Sequence, residues 1–226
     1  MKNQISVRVD ALSILVILVL AIGLGVFVSD LSNAVCLARR YSFERSFLSE
    51  LGQSEWASAF YFTRAVVVLA VCMVPFFLNF VRFGEKWFAI AGVVSAFGLM
   101  GIGLTPMNTM LVQHLLCLGI WLLSLLCMLI LQSKERIARG DYITPLIATG
   151  VAFMIVAYAT GGPSGRAAFY QKLTVMGALL WLVIVCWHAL RNAFAIACFG
   201  MRRRVGDDRR TKAYLDRLET RGTYRP

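Results

Sequence analysis

Apolar runs of about 20 residues recur along this chain, separated by short polar breaks, and that is the length needed to cross a hydrocarbon core. They span about residues 11–28, 57–81, 87–104, 110–131, 142–160 and 173–190. None alternates with a period of two, and polar stripes are nearly absent, so each reads as a helix that is apolar all round. The predicted fold is therefore an all-α integral membrane protein. Its domain, residues 1–190, is a bundle of six transmembrane helices, and residues 191–226 form a basic tail. The first run lacks a convincing cleavage site and is expected to stay as a helix.

The breaks carry the remaining pattern. Ser29 to Trp56 is the longest and holds Asp30, Arg39, Arg40, Glu44, Arg45, Glu50 and Glu55. Within it, Tyr41 to Gly52 places Phe43, Phe47, Leu48 and Leu51 on one helical face, which predicts a short amphipathic helix on the membrane surface. Gly92, Gly98, Gly101 and Gly103 thin the third span for close approach by a neighbour, and Gly23 and Gly25 do so in the first. A corner, Thr105-Pro106-Met107-Asn108-Thr109, leads into the fourth span and to His114 one turn later. Gly161 to Gly165 ends the fifth span. It lacks the preceding strand and the spacing of a phosphate loop. Thr211 to Arg221 is expected to form a short helix in the tail.

Charge gives the orientation. With both termini inside, 17 of the 23 Lys and Arg fall on the cytoplasmic side and 5 outside, with Arg64 inside a span. A net charge of +11 then reflects membrane electrostatics rather than nucleic acid. Arg202, Arg203 and Arg204 are expected to contact anionic lipid. The expected location is a bacterial inner membrane, with membrane lipids as partners and a membrane-protein partner or second copy also allowed.

Cys72, Cys117, Cys127 and Cys186 lie in apolar runs, and the six cysteines show no metal spacing, so small buried hydrophobes is the simpler reading. No metal or cofactor is expected. The two histidines, His114 and His188, differ in depth by ~18 Å at the helical rise per residue, too far to share one haem iron.

In this orientation the unusual polar residues gather near the outer face. An ionisable residue inside a span reads as functional by default. The leading expectation is a pocket for a lipid headgroup or other anionic ligand, with charge from Arg64 and Lys172 and hydrogen bonds from Asn108, His114, Tyr170 and Gln171. A second reading is a lipid-modifying enzyme of acyl-transfer or hydrolysis type. Ser49 or Ser46 would be its nucleophile, His114 its base and Glu50 the orienting group. A third is a structural or accessory subunit of a membrane complex. Snorkelling of Arg64 and interfacial placement of His114 are the simpler alternatives to any role.

Ser49-Glu50-Leu51-Gly52 before span two, and Thr105-Pro106-Met107-Asn108 followed by His114, resemble motifs of the domain-of-unknown-function 998 family. That bacterial membrane family is itself distantly similar to the FRAG/DRAM/Sfk group. The resemblance covers most of residues 11–190. It implies six spans and leans the function toward lipids, because the distant eukaryotic relatives are tied to lipid-anchor remodelling and lipid organisation. Asn108 stands where the family pattern usually has an acid, so a carboxylate role at that position is not implied here.

Overall fold

A computed structural model describes residues 2–38, 41–138, 141–161 and 166–205. Six α-helices account for most of them: α1 (Lys2–Leu37), α2 (Ala59–Val81), α3 (Lys86–Leu104), α4 (Leu111–Ala138), α5 (Ile143–Ala159) and α6 (Ala167–Val205). A 3-10 helix, Leu48–Gly52, lies between α1 and α2, and no strand occurs among the described residues. Five of the six helices contain spans long and apolar enough to cross a membrane; Ile143–Ala159, with 17 residues, falls just short. The chain is an all-helical, multi-pass membrane protein.

By contact density it divides into two compact units. One is Val16–Cys186; the other joins Met1–Leu15 with Trp187–Pro226. The first contains every residue discussed as a site below, except the arginines of the tail. Residues 206–226, including the expected helix at Thr211 to Arg221, lie outside the described residues, as do residues 162–165 of the glycine loop. Arg202, Arg203 and Arg204 stand near the end of α6.

Helix ends differ from the sequence reading in an informative way. α1 runs to Leu37, nine residues past the expected end of span one. Nothing between Val26 and Leu37 breaks a helix: there is no proline or glycine, and Ser32 returns its hydroxyl to the Val28 carbonyl at 2.8 Å. Asp30 is thereby moved from a loop onto a helix. α6 begins at Ala167, so Gln171 and Lys172 stand on its first turns rather than ahead of it. The segment expected as a helix over residues 41–52 is helical only from Leu48 to Gly52. There Ser49, Leu51 and Gly52 are buried, whereas Phe43 is exposed.

Close helix contacts follow the glycines. A Cβ on Gly23 would meet Cys72 Cβ at 2.7 Å, bringing α1 against α2. On Gly92 it would fall 2.1 Å from the Phe77 ring, and on Gly98 2.8 Å from the Trp121 backbone nitrogen. α3 is thus held between α2, whose Phe77 ring lies over Gly92, and α4, which it meets at backbone distance at Gly98. Gly25, by contrast, faces open space. Rings of Phe76, Phe77, Phe80 and Phe88 interlock at 4.9–6.4 Å between centroids, and Trp181 joins through Phe88 at 6.2 Å.

Candidate functional site

The α1–α2 loop, the α3–α4 corner and the first turns of α6 meet at one end of this unit, called here the loop end. Three side chains fasten the loop there. Gln171 Oε1 accepts the Leu48 N–H at 2.7 Å. Lys172 Nζ donates to the Ser46 carbonyl at 2.5 Å and to the Ala168 carbonyl at 3.3 Å. Asn108 accepts the Ser54 N–H at 3.3 Å and donates to the Ser54 hydroxyl at 3.1 Å. Ser58 adds a bond to the Leu51 carbonyl at 2.9 Å. The 3-10 turn itself is closed by Glu50, whose carboxylate accepts the Phe47 N–H at 3.0 Å.

Lys172 is only 2 % exposed. A buried ammonium needs compensation, and it comes from two carbonyls and two ring faces, Tyr41 at 5.3 Å and Phe43 at 5.1 Å. Burial, and secondarily the Glu50 carboxylate, pushes the Tyr41 phenol up to about 12.

Arg64 is likewise occupied. Its Nε and one terminal nitrogen bind the two oxygens of Asp30 at 2.6 and 2.5 Å, a forked pair between α1 and α2. The Asp30 side chain is 3 % exposed and that of Arg64 is 46 % exposed, with the guanidinium beside the rings of Phe60 and Tyr61. Sequence reasoning missed this pairing because it ended α1 before Asp30. The unbroken helical stretch to Leu37 was the available signal.

Under the loop lies a cavity of about 90 Å³. Its wall is apolar, drawn from α1, α2, α3, α4 and α6: Phe27, Phe62, Met73, Leu99, Trp121 and Val175 are representative. Leu48, Ser49, His114 and Gln171 line it at the loop end. Phe77 and Trp181 line it farther in, where they abut the aromatic cluster. The cavity is extended along the bundle: His114 and Met128, both on α4 and both lining it, are separated by ~21 Å of helix rise.

His114 is 3 % exposed, and its Nδ1 lies 2.7 Å from the Thr105 carbonyl oxygen. A carbonyl only accepts, so Nδ1 carries the hydrogen, and in the neutral ring Nε2 is a bare acceptor. The corner that supplies Thr105 is itself set by the Thr105 hydroxyl on the Gly101 carbonyl at 2.7 Å. Ser49 donates weakly to Met107 Sδ at 3.5 Å, which leaves its oxygen lone pairs available. Gln171 Nε2 reaches the Tyr158 hydroxyl at 3.4 Å.

Of the residues singled out from sequence, His114, Gln171 and Ser49 therefore share one cavity. Arg64, Asn108, Lys172, Glu50 and Tyr170 do not line it. Tyr170 is half-buried, with its ring edge-on to Phe169. Ser49, Glu50 and His114 are not joined in a hydrogen-bonded relay: each bonds elsewhere. No group of three or more His, Cys, Asp or Glu side chains is placed to hold a metal among the described residues.

One comparison with known proteins gives a match. The model of a family described as "Protein of unknown function (DUF998)" covers residues 19–188. No curated protein and no solved structure matches.

Proposed function

Because the chain belongs to the DUF998 family, whose function is unknown, its role has to be read from the cavity, and we propose that it binds a membrane amphiphile there. The hydrocarbon chain enters the apolar slot, which is narrower at rest than a long chain and widens as its lining side chains turn aside, and a neutral hydroxyl head sits among Ser49, His114 and Gln171. The observation that carries this reading is a slot of apolar side chains with hydrogen-bonding groups at one end. Such a division is how lipid and small-molecule sites are generally built.

The head is neutral because the nearby cations are spent. Arg64 is neutralised by Asp30, and Lys172 is spent on carbonyls of the loop and its own helix. What the cavity end offers instead is acceptors, the bare Nε2 of His114 and the Ser49 oxygen, which call for a donor. The bias of basic residues supports a loop end facing the outer leaflet.

Binding of hexadecan-1-ol and hexadecyl phosphate, followed by the fluorescence of the purified protein, tests the proposal. The alcohol is expected to bind about tenfold tighter than the phosphate, and Ala178→Phe, which fills the slot from α6, is expected to abolish binding of both. His114→Phe is expected to weaken the alcohol about fivefold, the loss of one hydrogen bond. Tighter binding of the phosphate, or undiminished binding to Ala178→Phe, refutes it.

A further inference from the structure

The cavity has polar groups far from the loop end as well. Ser95 on α3 and Trp181 on α6 both line it, and they are 0 % and 1 % exposed. Neither the Ser95 hydroxyl nor the Trp181 indole N–H finds a hydrogen-bond partner among the described residues. Each lies ten residues inward of a polar group at the loop end: Ser95 from Thr105, and Trp181 from Gln171. At the helical rise that is ~15 Å along each helix. A buried donor without an acceptor is destabilising, and two of them border one space.

We propose that the inner part of the cavity is a second hydrogen-bonding subsite, and that it receives an oxygen borne along the ligand's hydrocarbon chain. This rests on the reading of the cavity as an amphiphile site and narrows the ligand class to a chain carrying an acceptor, such as a hydroxyl, ether or keto oxygen, well inside its length. An extended chain advances roughly 1.2 Å per bond, so ~15 Å places that oxygen around twelve carbons from the head. A plain saturated chain leaves both donors unmet. A water is a poorer occupant: after accepting from both donors it has two hydrogens of its own to place, and the surrounding wall of Phe77, Met73, Leu99, Leu125 and Met128 is apolar, whereas an ether or keto oxygen brings no hydrogen.

The test compares hexadecan-1-ol with hexadecan-1-ols bearing a second hydroxyl at carbon 8, 10, 12 or 14, using the full-length protein. One of the 10, 12 or 14 compounds is expected to bind about fivefold tighter than hexadecan-1-ol, with carbon 8 giving no gain. Ser95→Ala together with Trp181→Phe is expected to remove that preference, so that on the variant every diol binds no tighter than hexadecan-1-ol measured on the same variant. Ser95→Ala is nearly isosteric, Trp181→Phe leaves a small void that every compound in the series meets alike, and Tm of the variant reports whether the fold is kept. If the double variant fails to fold, the wild-type positional preference alone decides. Equal affinity across the series, or a preference that persists in a folded double variant, overturns the inner subsite while leaving the cavity reading standing. Binding of none of the compounds sinks both.

Discussion

At the residue scale the most informative change between sequence and structure is Asp30. It reads as a loop charge, yet it is a buried carboxylate bound in a fork by Arg64. Removing one partner of such a pair leaves the other uncompensated, and the cost depends on which one remains. Asp30 has no route to water, whereas the half-exposed Arg64 can reorient. Arg64→Gln is therefore expected to lower the thermal unfolding temperature more than Asp30→Asn, with the double variant recovering toward Asp30→Asn. Additive losses in the double variant count against the pair. His114 was legible from sequence because a histidine inside an apolar helix is conspicuous. Its carbonyl partner, Thr105, was not, since a backbone acceptor leaves no mark in residue identity.

At the scale of elements, small residues set the distances. Helix α3 approaches α4 so closely that a methyl on Gly98 meets the Trp121 backbone, which has no rotamer to change. Gly98→Ala is expected to destabilise by about 1–3 kcal/mol, while Gly119→Ala, with open space around it, is neutral or stabilising. Equal unfolding temperatures for the two would remove the close α3–α4 contact. Gly92, Gly98, Gly101 and Gly103 could be picked out in the sequence of span three, and the structure gives them their partners. The loop was less legible. Apolar spacing over residues 41–52 matched a surface helix, but the pattern does not say whether its apolar residues meet lipid or the chain's own helices, and Leu51 is fully buried.

Fastening of that loop should depend on alkali through Tyr41. Its phenol is raised to about 12 in place, against an ordinary value near 10, so ionisation favours the released loop. The anchoring contribution is whole below pH 10 and is lost between about pH 10 and 12. Amide exchange at Leu48 and Phe47 is expected to accelerate in that window beyond its intrinsic base catalysis. Tyr41→Phe should flatten the excess; the same excess in that variant argues against Tyr41 as its source.

At the scale of the whole molecule, the six-helix class and the family were legible, because long apolar runs and two short motifs survive without tertiary detail. What was not legible is that the polar residues of the loop end divide into two sets. Asn108 and Lys172 spend their hydrogen bonds on the loop, while Ser49 and His114 border the cavity, and Gln171 does both. Spacing along the chain gives the depth of a residue and not the direction it faces, and the direction separates a fastening from a binding group. The most direct measurement is native mass spectrometry of the chain purified from membranes in mild detergent, beside Ala178→Phe. One tightly held hydroxyl-bearing amphiphile per wild-type chain, missing from the variant, is the expected result. A wild-type chain with no bound amphiphile, or one retained equally by the filled variant, contradicts a lipid-holding cavity.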